Sequence, residues 1–173
     1  LLLFAADAEF KSGVVGLAAA RLTEEFYRPA VVATIGPEET RASCRSIPEF
    51  HITQALDQVQ DLLIRHGGHA AAAGFNTRTP DAAEVEARLK AIATEALAGQ
   101  DLRPTQRIDV DNVPLNSLTG ELLDTLRQFE PCGYGNPSPV LASRGVTVDD
   151  TRIVGADGKH AKLKLTDGRL TFD

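Results

Sequence analysis

Gly13-Val14-Val15-Gly16-Leu17-Ala18-Ala19-Ala20-Arg21-Leu22, followed by Arg28-Pro29-Ala30-Val31-Val32-Ala33-Thr34-Ile35, reads as a helix handing over to a buried strand. Val15, Ala18, Leu22 and Phe26 recur at three- and four-residue spacing, so a helix over 13–27 presents one apolar face. Arg28-Pro29 ends it, because proline disfavours helical backbone in the residue before it. Residues 30–35 are short, apolar and rich in β-branched side chains, as a buried strand is. Upstream, the apolar run 1–6 is too short for a membrane span or a signal core and reads as another strand. Strand, helix and strand in that order predict an α/β layer.

Working outward, 41–47 reads as a neighbouring strand ending at Pro48, and 52–65 as a second helix burying Ile52, Leu56, Val59 and Leu63. Gly67-Gly68 then stops that helix as glycines do at helix C-termini, with His66 in the last turn, where an imidazolium complements the dipole. A small-residue segment, 69–74, precedes a third helix over 81–97 whose stripe is Val85, Leu89, Ile92 and Ala96. Residues 99–106 are polar, contain Pro104 and read as a linker. Beyond it come a strand at 108–113, a helix at 117–129 capped by Asn116 or Ser117, and a Pro/Gly-dense loop at 130–139. Segments 140–148, 151–155, 160–166 and 170–173 alternate like antiparallel strands, with Asp157-Gly158 and Asp167-Gly168 as turns. The expected architecture is an α/β domain over 1–98 and a mostly β, barrel-like domain with one helix over 107–173.

A hydrophobic fraction of 43% is ordinary for a globular chain, and the net charge of −6 excludes a generic basic nucleic-acid coat. Any nucleic acid must therefore meet a local basic groove, and 144–173 differs from the chain as a whole in being slightly basic. Cys44 and Cys132 show no zinc spacing, nor do the four histidines, so no metal site is expected; two free thiols fit a cytoplasmic protein. Ser-His-Asp order, HExxH, EF-hand, P-loop and Rossmann patterns are absent from the sequence. The chain opens on Leu1 rather than Met and its final strand simply stops, which points to an internal piece of a longer protein.

Three segments carry candidate chemistry. In Arg41-Ala42-Ser43-Cys44-Arg45-Ser46, strand alternation puts Arg41, Ser43 and Arg45 on one face. Two guanidinium forks flanking a hydroxyl suit a phosphate; a solvated strand face accounts for the same residues. In Gly67-Gly68-His69, two glycines let the backbone approach a ligand, and His69 suits phosphate contact or proton transfer. The alternative is a helix cap with His69 packed as an ordinary half-buried side chain. In Pro131-Cys132-Gly133-Tyr134-Gly135-Asn136-Pro137, Tyr134 would stack on a base or staple the loop to the barrel. Lys159, Lys162 and Lys164 form the best basic cluster, and lysines also protect sheet edges. Gly13 and Gly16 lack the Lys-Ser/Thr of a P-loop and read as close helix–sheet packing.

The order of these segments is more specific than any one of them. Gly13 to Leu22, Arg28 to Val32, Ser43-Cys44-Arg45-Ser46-Ile47 and Gly67 to Gly74 together resemble the DHH-associated domain of DHH phosphoesterases. Phe129 to Pro137, Val154-Gly155 and Lys159 to Leu165 resemble the OB-like domain of the RecJ single-stranded-DNA exonucleases. The pattern departs from that family at Phe10-Lys11, Ala42 and Cys132. The resemblance implies that Ser43, Arg45 and Ser46 contact DNA, and that Gly67, Gly68 and His69 lie over the scissile phosphate with His69 stabilising its charge. It implies a barrel gripping a single strand, and a separate catalytic domain whose Asp and His residues hold manganese or magnesium for 5′-to-3′ cleavage. Single-stranded DNA is the expected partner, with a single-strand-binding protein or helicase as helper and no membrane. The rival expectations are a DHH phosphoesterase for short RNA or cyclic dinucleotides, and a non-catalytic replication scaffold.

Overall fold

The computed structural model describes residues 1–133 and 135–172. They divide into two compact units, Leu1–Pro104 and Thr105–Asp173.

The first unit is built on a mixed sheet of β1 (Leu3–Asp7), β2 (Ala30–Ile35), β3 (Glu39–Arg45), β4 (Leu63–Gly68) and β5 (Ala72–Arg78), in the order β1-β2-β3-β5-β4. β1 and β2 run parallel because helix α1 (Val15–Phe26) crosses between them, and every other pair is antiparallel. Alternation along β2 separates the faces. Val31 and Ala33 join a core made with α2 (Ile52–Asp57) and α3 (Ala82–Ala96), while Val32 packs with Val15 and Ala19 of α1. The sheet therefore has helices on both sides, the α/β arrangement expected.

Several elements differ from the sequence expectation. The buried residues of α1 are Val15 and Ala19, with Leu22 partly buried; Ala18 is exposed and Phe26 is 52% exposed. The stripe of α3 is Val85, Leu89 and Ala93, continued by Leu97, so the phase is one residue off at its C-terminal end, where Ala96 is exposed. The largest change is at 52–65. Helix α2 ends at Asp57, a 3-10 turn covers Gln60–Leu62, and Leu63–Gly68 is strand β4 rather than the last helical turns. Tertiary bonds hold this path. Arg88 of α3 donates to the Gln58 carbonyl and to Asp61, both at 2.8 Å, and the buried Thr77 hydroxyl donates to the Leu62 carbonyl at 2.6 Å. Gly67 and Gly68 thus lie inside a strand instead of capping a helix. His66, facing no helix terminus, pairs with Asp57 Oδ1 at 2.8 Å.

β4 carries an irregularity. Leu63 pairs with Thr77 and Arg65 with Asn76, so the two-residue step on β4 is answered by one on β5. Such a bulge reverses which face the following residues occupy.

In the second unit, β6 (Thr147–Val154), β7 (His160–Thr166) and β8 (Thr171–Phe172) form an antiparallel sheet in that order. Helix α4 (Gly120–Arg127) starts later than expected, with Thr119 as N-cap, its hydroxyl accepting from Leu122 N at 3.3 Å; the expected caps Asn116 and Ser117 lie in a preceding 3-10 turn. The strand expected at 108–113 is reduced to a single bridge between Val110 and Leu141, supported by Asp109, whose carboxylate accepts from Val140 N at 3.0 Å. Leu115 is the one fully buried hydrophobic residue among the described residues of this unit.

Candidate functional site

The face of β3 turned away from the main core carries Arg41, Ser43 and Arg45, as alternation predicts, while Thr40, Ala42 and Cys44 are buried on the other. Cross-strand register extends this face into rows. Arg41 lies beside Asn76, which lies beside Arg65; Ser43 lies beside Gly74, which lies beside Gly67; Arg45 lies beside Ala72. The first two rows floor an open cavity of about 490 Å³ lined by Ser12, Gly13, Arg41, Ser43, Arg65, Gly67, Gly74 and Asn76 among others. The second of them has two glycines, so a ligand meets bare backbone there.

The start of α1 forms one wall. A Cβ on Gly16 would sit 3.4 Å from Arg45 Nη2 and 3.6 Å from Ser43 Oγ, so a glycine here lets the helix close down on both. This is the close-packing role read from the sequence. Arg45 Nη1 donates to its neighbouring Cys44 carbonyl at 2.8 Å. Among the described residues neither Arg41, Arg45 nor Arg65 has a carboxylate partner, whereas Arg21, Arg78, Arg88, Lys90 and Arg103 of the same unit all do. Cys44, behind the site, is no nucleophile: burial pushes its thiol up to about 12, with the Arg45 charge opposing.

Ser46 and His69 lie just past the ends of β3 and β4, and Gly68 is the last residue of β4. Ser46 donates its hydroxyl to the Phe50 carbonyl at 2.6 Å and its N–H to the Ala71 carbonyl at 2.9 Å, tying β3 to the β4–β5 turn. His69 opens that turn: its N–H donates to the Ala72 carbonyl at 2.8 Å, its carbonyl accepts from Thr53 Oγ1, and its side chain is exposed. Gly68 adopts φ +146, and a Cβ there would fall 2.4 Å from the Ala72 carbonyl oxygen. The structure thus gathers Arg41, Ser43 and Gly67 at the cavity, keeps Arg45 on the same strand face, and leaves Ser46, Gly68 and His69 outside its lining.

In the second unit, Lys159 pairs with Asp157 at 2.8 Å and Lys164 with Asp149 at 3.7 Å, and Lys162 lies opposite Arg152 on the same face as Lys164. Exposed pairs of this kind contribute little and exchange readily for a stronger anion. Tyr134 lies outside the described residues. Around it, Asn136 Nδ2 donates to the carbonyls of Phe129 at 2.9 Å and Pro131 at 3.1 Å, tying the loop together.

Arg65 and Asn76 went unnoticed in the sequence. The signal was available: with 63–68 taken as a strand, Arg65 and Gly67 fall on one face, and paired glycines in a strand mark close backbone approach.

Residues 2–98 match the DHHA1 domain family and residues 108–173 the RecJ OB domain family. Both matches lie in chain order, the DHHA1 domain before the RecJ OB domain. The single-stranded-DNA-specific exonuclease RecJ of Bacillus subtilis is 32% identical over 170 residues, covering 97% of this chain and 22% of that protein. The Thermus thermophilus RecJ is 30% identical over 165 residues, covering 95% of this chain and 23% of its own length. A crystal structure of the latter with Mn2+ superposes with a TM-score of 0.80 at 29% identity, over 96% of this chain and 24% of that one. The chain belongs to the DHHA1 domain family, carries a RecJ OB domain after it, and is similar to RecJ proteins along nearly its whole length. It spans less than a third of the length of the curated relatives it matches.

Solved relatives carry Mg2+ or Mn2+. The cavity here does not suit a cation, since its donors are guanidinium groups, a hydroxyl and an amide, and among the described residues no three His, Cys, Asp or Glu side chains converge. Among the described residues, no helix is long and apolar enough to cross a membrane.

Proposed function

We propose that this chain is the substrate-binding part of a 5′-to-3′ single-stranded-DNA exonuclease of recombination and repair, acting in the cytoplasm. Residues 1–98 hold the DNA near the scissile bond, 99–106 link, and 107–173 grip the strand. Arg41, Ser43 and Arg45 bind phosphate. Gly67 and Gly68 let the backbone close in, and His69, outside the cavity lining, stabilises charge on the phosphate being cleaved. Ser46 positions the β4–β5 turn and Lys159, Lys162 and Lys164 add electrostatic grip, with Tyr134 stacking on a base. Manganese or magnesium is held by Asp and His residues of a separate domain, so this chain by itself hydrolyses nothing. A single-strand-binding protein or helicase supplies its substrate.

One observation carries the reading. Arg41 and Ser43 line a glycine-floored cavity with Arg45 next on the same strand face, and neither arginine has an acid partner among the described residues in a unit whose other surface arginines are mostly paired. Leaving cations unpaired around a concave surface favours an anionic ligand. The test is fluorescence anisotropy with labelled single-stranded and duplex DNA at low and moderate salt. Salt-sensitive binding that prefers the single strand and weakens in Arg45→Ala is expected. Equal binding by wild type and Arg45→Ala refutes the assignment.

A further inference from the structure

We infer that Arg65 is a phosphate-contacting residue, which with Arg41 forms one anion-binding end of the cavity. The inference rests on the single-stranded-DNA reading above and adds a residue to it.

The bulge in β4 carries the argument. Leu63 faces the main core opposite Thr77. In a regular strand Ile64 would follow on the outer face opposite Asn76, and Arg65 would point into the core. The extra residue puts Arg65 opposite Asn76 instead, leaving Ile64 50% exposed and His66 on the side where it meets Asp57. Bulges next to functional sites serve to re-aim a side chain in this way. The result is the row Arg41, Asn76, Arg65 across three adjacent strands, all three lining the cavity. The carboxylate of Glu39, on the same face two residues from Arg41, accepts from Asn76 Nδ2 at 3.0 Å and pairs with neither arginine.

Because Glu39 bonds the amide rather than a guanidinium group, Arg41 and Arg65 are left without a carboxylate partner among the described residues, which favours a bound anion beside them.

The test uses the whole chain with a labelled oligothymidylate, measuring affinity across a salt series for wild type, Arg65→Ala, Arg65→Lys and Arg45→Ala, with thermal unfolding of each. Arg65→Ala should weaken binding about five- to tenfold and reduce the slope of log affinity against log salt by about 0.7, the value for one phosphate contact on a single strand, while Arg65→Lys keeps the slope. Wild-type affinity and slope in Arg65→Ala, beside weakening in Arg45→Ala, overturns the inference and leaves the substrate reading standing. Weaker binding with an unchanged slope also overturns it, since that is a structural effect. Absence of wild-type binding at low salt removes the reading and the inference together.

Discussion

Gly67 and Gly68 are adjacent, yet adding one methyl group to each should have opposite consequences. At Gly68 the φ of +146 is foreign to L side chains, which costs about 1–3 kcal/mol. The new Cβ would also lie 2.4 Å from the Ala72 carbonyl oxygen and 2.5 Å from Ala73 Cα, both backbone atoms of the hairpin. Relieving that overlap means displacing β5, for about another 1–3 kcal/mol. The total of about 2–6 kcal/mol is a large part of a domain's stability of about 5–15 kcal/mol. At Gly67 nothing lies within 4 Å of a Cβ and φ is ordinary, so Gly67→Ala should leave stability unchanged or raise it by about 0.4–1 kcal/mol. Its methyl would instead protrude from the cavity floor and weaken single-stranded-DNA binding. Hydrogen–deuterium exchange by mass spectrometry reads the first unit alone. Peptides of β5 should exchange on the order of 30- to 20,000-fold faster in Gly68→Ala and at the wild-type rate in Gly67→Ala. Wild-type exchange in Gly68→Ala, or faster exchange in Gly67→Ala than in Gly68→Ala, would refute the geometry assigned to β4.

Iodoacetamide should modify Cys132 in the native protein while Cys44, buried and with its thiol raised to about 12, reacts only on unfolding; equal rates by mass spectrometry would contradict this. Leu89→Ala, at a fully buried position between α3 and the sheet, should cost about 2–5 kcal/mol, read as a lowered urea midpoint. The Arg88 hydrogen bond holds the Asp61 carboxyl below the usual carboxylate range. A depressed folded value stabilises above the ordinary range and that contribution is lost as pH falls through the depressed one. Carboxyl NMR should therefore show Asp61 titrating higher in Arg88→Ala, and the urea midpoint falling less steeply with acid; an unmoved Asp61 titration would refute the pairing.

Where local pattern and tertiary demand agree, the sequence was readable: the strand at β2, the outward face of Arg41, Ser43 and Arg45, and the close-packing role of Gly16 all follow from alternation and small size. Between 52 and 65 they diverge. Ile52, Leu56, Val59 and Leu63 all pack into or against the core, so their helical spacing is satisfied without a continuous helix. What breaks the helix is Arg88 and Thr77, remote in sequence, bonding the turn carbonyls. Misreading that segment hid Arg65 and turned a strand glycine pair into a cap. The fraying of 108–113 into one bridge has a similar cause, since a unit in which Leu115 is the one buried hydrophobic residue among the described residues has little to hold a strand there.

The extra residue in β4 has a corollary for how this segment tolerates length change. Leu63 faces inward and Gly67 lines the cavity, four positions apart, a separation that an unbroken strand would place on one side. The segment between them behaves like a reading frame: its parity, more than its composition, decides which side chains are inside. Deleting Ile64 would remove the bulge while keeping Leu63 opposite Thr77 and Arg65 opposite Asn76 in regular alternation, whereas inserting one more residue there would demand a wider bulge or turn the arginine inward. Substitutions at 64, and its deletion, should therefore be absorbed, while a single-residue insertion there should disturb the site.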